Sequence, residues 1–579
     1  MAASTTNGHA PAEFPPPVDP ITEFIAAPEA GEDEAIEVGV AIVGGGPAGL
    51  AAANRLLQLL ADDEELLESL GEVPVAVIEK GKSCGGHNLS GAVMKPGPLK
   101  ELFPDEDLEA LPAIRHVNEK DDVWWLSSPT GTRPMPGPTP PNFKNEGNWV
   151  TSISQLCRWM AEKAEESGAY ILTETAAAKL LVKDGAVQGV VTGDKGRGKE
   201  GQELGNFEPG MEVHARQTVL AEGNWGHLTG AAIQHFDLAQ GAEPPVWKLG
   251  AKEVWKTKEQ WDTVVHFFGW PGRSNGKWHE TGVGGWVYPY GDHEVSIGIV
   301  VPLATPDATV SAHDMLQTVK QHPKLKAILE GGERTAWGAK AIQGGGFWSQ
   351  PKLSMPGAVL VGESGGMIDM ASLKGVHMAI QSGIIAAEEI YKSLKLGQKD
   401  MTSYETAIAE SELVGKRLFE VRNNMQLVGG SSMPFNLAKA GIDIITKGKI
   451  PGGRKSSHRD AEVVQVIPPE GKRASDLYPK PDGKYTFDKL SSVFITGNAT
   501  RDDAPSHIRI EKNVAREVAE TWKWMCPAGV YEIPEDAPET GNVDVIVNYT
   551  NCVQCGAITA RGGRLTPPEG GDGPAYQVV

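Results

Sequence analysis

The sequence contains few cysteines and few basic residues. Only five of its 579 residues are Cys, and this odd, low number excludes a disulfide framework. A chain of this length can bury a large core without disulfides, in about three to four domains. Lys and Arg number 54 against 75 Asp and Glu, for a net charge of −21. Because nucleic-acid binding needs a basic surface, we expect no nucleic-acid partner.

Long apolar runs and an early basic segment are also absent. No run of 18 apolar residues occurs, which predicts that no helix spans a membrane but leaves surface attachment open. The first basic residue is Arg55, so neither a secretory signal nor an Arg-rich mitochondrial presequence is visible. We expect residues 1–36, which are Pro-rich in part, to form a disordered leader.

Glycine, by contrast, is abundant at 69 residues, and part of it forms a nucleotide-binding pattern. The apolar strand 40–43 leads into Gly44, Gly46 and Gly49, a G-x-G-x-x-G at the start of an Ala/Leu-rich helix. In dinucleotide folds these glycines allow a tight turn, approach of the backbone to a pyrophosphate, and close helix–strand packing. The next strand ends in Glu79, whose carboxylate can accept ribose hydrogen bonds.

A later segment favours FAD over a nicotinamide cofactor. Its sequence predicts a strand that ends at Gly362 and Glu363, then a helix that begins near Gly375 and Val376. A second strand end and a second helix N-terminus suit a long flavin cofactor, with Glu363 at the ribitol chain and helix N–H groups near the flavin pyrimidine edge. No second G-x-G-x-x-G follows a strand, so we expect no dedicated NAD(P)H domain.

Three of the five cysteines lie close to the C-terminal end. Cys552 and Cys555 form a C-x2-C, and Cys526 precedes a proline. Such thiolates can hold an iron–sulfur cluster, but the expected fourth position is Ile558, which cannot bind iron. Four interpretations stay open: a [4Fe–4S] cluster with a non-cysteine fourth ligand, a [3Fe–4S] cluster, a zinc site completed by His or Asp, or three unligated cysteines. The other two cysteines are expected to be packing residues.

Longer segments carry a family resemblance. They include "HNLSGAVMKPGPLKELFPD", "CPAGVYE", "NCVQC" and "PEGGDGPAY". On these and the flavin motifs, the chain resembles the electron transfer flavoprotein–ubiquinone oxidoreductase family over about residues 37–579. The resemblance implies a mixed α/β fold with a Rossmann-like FAD-binding domain of glutathione-reductase type, an intertwined quinone-binding domain and a C-terminal ferredoxin-like iron–sulfur domain.

The resemblance also implies how these domains divide the chain. The FAD and quinone domains are each assembled from segments that are distant in sequence. The expected boundaries are 37–90, 150–235 and 350–400 for the FAD domain, 91–149 and 236–349 for the membrane-facing quinone domain, 401–455 for a helical connector and 456–579 for the iron–sulfur domain.

The function implied by the resemblance is a redox relay, that of an electron-transferring-flavoprotein dehydrogenase. Reduced electron transfer flavoprotein would supply electrons, which pass through FAD and the cluster to ubiquinone or a related quinone. No catalytic acid or base is named, because the chemistry belongs to the cofactors. The implied site residues are Gly44, Gly46, Gly49, Glu79, Lys80, Ser90, Gly91, Gly223, Gly362, Glu363, Gly375 and Val376 for FAD, the backbone pair Gly284 and Gly285 for the quinone, and Cys526, Cys552 and Cys555 for the cluster.

The family is monotopic on membranes, so the resemblance implies attachment to a membrane surface. This would be the cytoplasmic face of a bacterial inner membrane, or the mitochondrial inner membrane in a eukaryote. The corresponding segments are about 91–112 and 424–447. Two positions depart from the family: Ile558 stands where the fourth cluster cysteine is expected, and Ser152 where an Arg is often found.

Two other functions compete with the relay. A flavin enzyme acting directly on a small molecule, such as a prenyl-lipid reductase or hydroxylase of the same superfamily, would share the FAD motifs but would not explain the C-terminal cysteines. Alternatively, the C-terminal domain is a scaffold whose cysteines hold zinc or nothing. Metal analysis with electron paramagnetic resonance distinguishes these possibilities.

Overall fold

Two large β-sheets organise the chain, one of nine strands and one of seven. Helices and a C-terminal region of short elements pack around them. Among the described residues, no helix combines the length and the apolar character needed to cross a bilayer. The structure is a computed structural model that describes residues 8–31, 34–91, 93–134, 141–272, 283–424, 433–449, 454 and 456–579.

The nine-stranded sheet is built around a strand that is buried on both faces. Ile36–Val43 runs parallel to Val75–Ile78 on one side and to Glu212–Leu220 on the other. Its residues from 38 to 43 are all buried, as expected for a strand inside a parallel sheet. The spatial order is Ile25–Ala26, Ala177–Lys183, Ala186–Thr192, Glu212–Leu220, Ile36–Val43, Val75–Ile78 and Tyr170–Leu172, with Ala358–Leu360 beside Glu212–Leu220 and Ser354–Met355 beside Ala358–Leu360.

Two long helices pack against each other next to this sheet. Helix Pro47–Ala61 starts directly after the glycine loop with Pro at its first position, where no N–H is needed. Helix Val376–Leu396 crosses it closely, because a Cβ at Gly383 would collide with the Ala48 carbonyl oxygen. It ends at Gly397, whose φ of +61° suits glycine. Both helices lie where the sequence predicts them.

The seven-stranded sheet is antiparallel except for one pair. Val264–Gly269 runs parallel to Asp121–Leu126, and all other neighbours are antiparallel. Since antiparallel strands follow one another through short connections, one stretch of chain supplies most of the sheet. The spatial order is Glu333–Gln343, Trp247–Lys256, Glu294–Pro302, Gly284–Pro289, Val264–Gly269, Asp121–Leu126 and Thr132–Pro134.

The two faces of the seven-stranded sheet have different roles. One face carries Phe267, Val287 and Ile299, which belong to a large apolar core. Side chains alternate along a strand, and residues paired across strands share a face. Gly284 pairs with Phe268, so it lies on the face opposite to Phe267. This second face is turned toward the nine-stranded sheet.

The C-terminal region, residues 456–579, packs against the core face of the seven-stranded sheet through an amphipathic helix. Helix Arg516–Met525 buries Val518 and Trp522, and its C-cap is Cys526. Its hydrophobic residues share one core cluster with the seven-stranded sheet. The two-stranded ladders of this region are Ile508–Arg509 with Arg564–Leu565, Asn513–Ala515 with Asn542–Asp544, and Tyr531–Glu532 with Ile546–Val547.

The other described elements are short connectors and a small sheet. The small sheet has the order Val93–Met94, Trp149–Thr151 and Ile114–Val117, and Lys195–Arg197 pairs with Glu203–Glu208. The remaining α-helices described are Pro20–Phe24, Glu64–Ser69, Gly97–Leu102, Ile153–Glu166, His227–His235, Ala312–Val319, Pro323–Leu329, Thr402–Glu410, Gly415–Glu420, Met433–Ile445, Lys489–Phe494 and Ala557–Ala560.

A buried ion network fastens the C-terminal region to the seven-stranded sheet. The Glu253 carboxylate contacts Lys320 Nζ at 2.7 Å and Arg334 Nη1 at 3.4 Å, and Arg334 donates to Ser492 Oγ at 2.7 Å. Burial alone would raise the pKa of Glu253, but Lys320 and Arg334 outweigh it and lower that pKa to about 2. Removing one partner of such a network strands a buried charge, which costs about 3–5 kcal/mol.

Part of the expected disordered leader is ordered, which corrects that expectation for the residues concerned. Asp19 caps helix Pro20–Phe24 by accepting the Ile21 N–H at 2.8 Å. Phe24 is buried, and Ile25–Ala26 joins the edge of the nine-stranded sheet beside Ala177–Lys183. The apolar residues after the Pro-rich stretch find a sheet edge to pack on, a contact distant in sequence.

We expect Gly285→Ala to destabilise the protein. A Cβ at Gly285 would collide with the Phe267 ring and the Gly298 carbonyl oxygen, and the backbone cannot move aside. Overpacking of this kind costs about 1–3 kcal/mol, which thermal unfolding would detect. The matched variant is Gly284→Ala, whose Cβ would lie 3.1 Å from the edge of the Phe268 ring. An equal loss of stability in both variants would mean that the core side is no more crowded than the opposite face.

Candidate redox site

A cavity of about 1270 Å³ separates the two sheets. This exceeds the usual range of roughly 300–1000 Å³ for small-ligand pockets. Its walls include the glycine loop after Ile36–Val43 on one side and the second face of the seven-stranded sheet on the other. A long ligand, or two ligands in sequence, fits such a space.

The first end of the cavity carries the dinucleotide motif. Gly44 and Gly46 line it, and Gly44 has a φ of +111° that favours glycine. The Glu79 carboxylate also lines it, and it accepts the N–H groups of Gly45 at 2.8 Å and Gly81 at 2.7 Å. Gly49 lies outside the lining: a Cβ there would collide with the Gly44 carbonyl oxygen, which is the packing role expected of a third glycine.

The middle of the cavity receives a helix N-terminus. Gly375 and Val376 line it at the start of the 21-residue helix, so unpaired N–H groups and positive potential are available there. Glu363 lines it as well, and its carboxylate accepts the Gln343 N–H at 2.9 Å. Burial raises the pKa of Glu363. Gly362 lies outside the lining, where a Cβ would sit 3.0 Å from that of Ala48.

Of the other residues expected to bind the cofactor, three line the cavity and one lies behind its wall. Lys80, Gly91 and Gly223 line the cavity, and a Cβ at Gly91 would lie 3.1 Å from the Trp286 ring. Ser90 lies outside the lining: its hydroxyl accepts the Ile153 N–H at 2.6 Å and donates to the Val579 carbonyl at 3.2 Å. Ser90 therefore joins the C-terminal end to a helix start.

The far end of the cavity is formed by the second face of the seven-stranded sheet. Gly284 and Gly285 line it together with Phe268, His266 and Tyr288. The last two were not identified from the sequence, because an isolated His and an isolated Tyr on strands carry no motif. The alternation of side chains between the two faces of each strand was the signal in the sequence that could have identified them. Residues on helix Met433–Ile445 form part of the wall beside them.

Two half-buried lysines were also not identified from the sequence. Lys248 and Lys340 line the cavity on neighbouring strands. Burial lowers the pKa of each to about 8. Positive groups at this depth suit an anionic ligand such as a pyrophosphate or a reduced flavin.

The three C-terminal cysteines converge. Beyond the effect of burial, Cys555 and Cys526 lie close enough to raise the pKa of Cys552, and Cys526 also raises that of Cys555. After burial, which is the largest cause, all three thiols raise the pKa of Tyr531. Burial and this proximity raise the pKa of Cys555 to about 12. Backbone N–H groups of Val530 and Gln554 lie 3.4 Å from the sulfurs of Cys526 and Cys552. Such N–H···S contacts are among the features that tune iron–sulfur clusters.

Ile558, the residue expected where a fourth cluster cysteine would stand, has an apolar environment. Ile558 is buried in the core, on the side of Gly563 and Ile510, where a Cβ added to Gly563 would meet both side chains. Among the residues that the structure describes, no group of three or more His, Cys, Asp or Glu is arranged to hold a metal ion. Cys526, Cys552 and Cys555 are among these described residues, so their thiols are not arranged as ligands of one metal ion. They supply the donor type, cysteine sulfur, that iron–sulfur clusters use.

The loop of residues 552–556, which carries Cys552 and Cys555 and is called the cysteine loop below, forms part of the cavity wall. Gln554 and Gly556 line the cavity, and the Cys555 carbonyl accepts the Ala341 N–H at 2.8 Å. Lys80 Nζ donates to Gln554 Oε1 at 2.7 Å. The thiols and the flavin-sized space are therefore separated by a single loop.

Comparison with known proteins gives this arrangement a family. The chain matches the models "ETF-QO, ubiquinone-binding" over residues 247–342, "Electron transfer flavoprotein-ubiquinone oxidoreductase, 4Fe-4S" over 483–577 and "FAD binding domain" over 117–249. It is 37% identical to the probable electron transfer flavoprotein-ubiquinone oxidoreductase of Saccharomyces cerevisiae, with 94% of this chain and 90% of that protein covered. The electron transfer flavoprotein-ubiquinone oxidoreductase of Pseudomonas aeruginosa is also 37% identical, with 94% and 99% covered.

The chain belongs to the electron transfer flavoprotein–ubiquinone oxidoreductase family. This confirms the resemblance and the mixed α/β fold class. A solved structure, the geranylgeranyl bacteriochlorophyll reductase-like protein of Thermoplasma acidophilum, has a TM-score of 0.51 at 18% identity and covers 71% of this chain and 96% of its own. That likeness concerns the fold alone. The family match extends over the C-terminal cysteines, which the small-molecule alternative left unexplained.

We expect Glu79→Gln to reduce the amount of flavin that copurifies with the protein. The carboxylate accepts one N–H of the glycine loop, that of Gly45, and the N–H of Gly81 in the following turn, whereas an amide offers only one accepting oxygen. Absorbance after gel filtration gives the flavin-to-protein ratio. The matched control is Glu405→Gln, whose carboxylate accepts from Ser354 outside the cavity. Wild-type flavin content in Glu79→Gln would contradict this role.

Proposed function

We propose that the chain transfers electrons from reduced electron transfer flavoprotein to a quinone at the residues described above. It is an electron-transferring-flavoprotein dehydrogenase whose cofactors are FAD and a [4Fe–4S] cluster. The observation that carries the site assignment is the continuous cavity. It extends from the glycine loop to Gly284 and Tyr288, with the cysteine loop in its wall.

The protein's part is to bind and orient the cofactors, which supply the electron-transfer chemistry when bound. The Gly44–Gly46 loop and Glu79 would hold the adenosine and pyrophosphate half of FAD. The helix that starts at Val376 presents N–H groups to the flavin ring. The Gly284 backbone forms a flat floor for the quinone head group, since a planar ring can lie against a strand without a side chain. Gly49, Gly362 and Ser90 support the site by packing.

The cluster ligands that we propose are Cys526, Cys552 and Cys555. Their thiols converge and receive backbone N–H groups, and the matched cluster domain spans residues 483–577. Because Ile558 occupies the fourth position, one iron has no cysteine of this chain. The fourth ligand is therefore a group other than cysteine. In this respect the proposed cluster site of this chain differs from a site with four cysteine ligands.

We expect Ile558→Cys to stabilise the cluster and Cys552→Ala to abolish it. The first variant supplies a fourth thiolate, and the second leaves only two. Iron and sulfide analysis with electron paramagnetic resonance of anaerobic protein, before and after exposure to air, reports cluster type and loss. Ile558→Val is the control, because it changes volume without adding a ligand. Unchanged iron content in Cys552→Ala, or an Ile558→Cys cluster no more resistant to air than the control, would contradict the assignment.

The mouth of the cavity provides a surface for membrane attachment. Ile442 and Ile445 line the cavity and are 54% and 75% exposed, and they lie one turn apart on helix Met433–Ile445. An apolar opening suits a quinone with an isoprenoid tail and a monotopic position on a bilayer. The other expected segment, 91–112, buries Leu99 and Leu102 in the core. Of the segment 424–447, residues 425–432 lie outside the described residues.

We expect the double variant Ile442→Ser, Ile445→Ser to weaken binding to lipid vesicles. Two exposed apolar side chains at the mouth would no longer enter the interface. Cosedimentation with phosphatidylethanolamine and phosphatidylglycerol vesicles measures the bound fraction. Phe494→Ser is the control, since Phe494 is 85% exposed but does not line the cavity. Equal loss of binding in both variants would contradict attachment through this helix.

A further inference from the structure

Two polar side chains form a hydrogen-bonded pair in the quinone end of the cavity. The Tyr288 hydroxyl lies 2.8 Å from His266 Nε2. Both side chains line the cavity, although His266 is only 2% exposed and Tyr288 only 3%. The family function described above names no acid or base, so this pair has no assigned role.

The register of the strands places the pair on the same face as the proposed quinone floor, with Trp286 between Gly284 and Tyr288 on their strand. His266 pairs with Trp286, and Phe268 pairs with Gly284. Because residues two apart on a strand share a face, His266, Phe268, Gly284 and Tyr288 all face the cavity. The centroid of the Phe143 ring lies 5.3 Å from that of the His266 ring and 5.6 Å from that of the Phe268 ring. The pair is therefore a polar group within an aromatic wall.

Both members of the pair are neutral at physiological pH. Burial, with a smaller effect of Lys374, lowers the pKa of His266 to about 3. Burial, with a smaller effect of Asp121, raises the pKa of Tyr288. Tyr288 therefore keeps its O–H bond and can donate it. His266 Nδ1 is buried, and no protein group among the described residues bonds to it.

We propose that Tyr288 donates a proton to the quinone head group and that His266 returns a proton to Tyr288. This inference rests on the proposed quinone site. The quinone gains two electrons from the proposed relay and two protons. For one of these protons, the Tyr288 O–H bond breaks as an O–H bond forms on a quinone oxygen. The Nε2 proton of His266 then moves to the Tyr288 oxygen.

The balance of the step requires a proton for His266 and a second proton for the quinone. In the tautomer that carries its proton on Nε2, His266 has a free lone pair on Nδ1. Once the Nε2 proton has left, Nδ1 takes a proton from a water molecule that reaches it during turnover and leaves as hydroxide, so the imidazole is neutral again. The second quinone oxygen takes its proton from water on the open side of the cavity. Tyr288 is then a catalytic residue that touches the quinone, and His266 is a positioning residue that acts through it.

The test compares an acceptor that needs protons with one that does not. Reduced electron transfer flavoprotein is the donor, and the acceptors are the short-chain ubiquinone-1 and the one-electron acceptor ferricenium. We expect Tyr288→Phe to lower kcat for ubiquinone-1 at least about tenfold, as loss of a general acid does, with KM little changed. The rate with ferricenium should equal that of the wild type.

Two further variants separate proton transfer from packing. Tyr290→Phe is the matched control, because the Tyr290 hydroxyl donates to the Val578 carbonyl and does not line the cavity; both of its rates should equal those of the wild type. His266→Gln can still hydrogen-bond Tyr288 but cannot pass on a proton. It should slow ubiquinone-1 reduction and spare ferricenium. The wild-type rate with ubiquinone-1, but not with ferricenium, should fall in D2O.

The outcomes distinguish this inference from the proposed function. A wild-type quinone rate in Tyr288→Phe, or an equal fall with both acceptors, would overturn the proton donation. A wild-type quinone rate in His266→Gln would overturn the return step. If the wild-type protein reduces ferricenium but not ubiquinone-1, the proposed quinone site itself fails.

Discussion

The arrangement of the redox site depends on one contact, between the cysteine loop and the edge strand of the seven-stranded sheet. The Ala341 N–H bonds the Cys555 carbonyl at 2.8 Å, and Lys340 Nζ bonds the Gln554 carbonyl at 3.2 Å. These bonds place the loop in the cavity wall. Because electron transfer slows steeply with distance, a cluster domain docked elsewhere on the protein could not serve as a relay. The buried Glu253 network on the opposite side of the sheet helps to hold that docking.

The second constraint is the difference between the two faces of the same sheet. Gly285 is a glycine because the core side has no room for a Cβ, whereas Gly284 leaves the cavity side flat. One pair of neighbouring glycines therefore satisfies both core packing and ligand access. His266 and Tyr288 occupy the cavity face for the same geometric reason, so the strand alternation that builds the core also places a proton donor beside the quinone floor.

The two positions at which we expect this chain to depart from the family are held by local contacts. Ile558 fits among core residues of the C-terminal region and leaves three thiolates for the cluster. Ser152 occupies the N-cap of helix Ile153–Glu166, and its hydroxyl donates to the Val578 carbonyl. On the same helix, Arg158 donates to the carbonyls of Tyr576 and Gln577. The start of the helix thus holds the C-terminal end through both Ser152 and Arg158.

The sequence by itself determined the parts of the protein that local patterns encode. The strand before Gly44, the helices at Pro47 and Val376, the family and its cofactors could all be read from spacing, composition and resemblance, because each depends on neighbouring residues. Only the tertiary structure decided which expected residues line the cavity and which pack behind it, as for Gly49, Gly362 and Ser90. It also showed that Ile25–Ala26 joins a sheet edge and that His266 and Tyr288 meet. These outcomes depend on contacts between distant segments, whose register and burial no local pattern specifies.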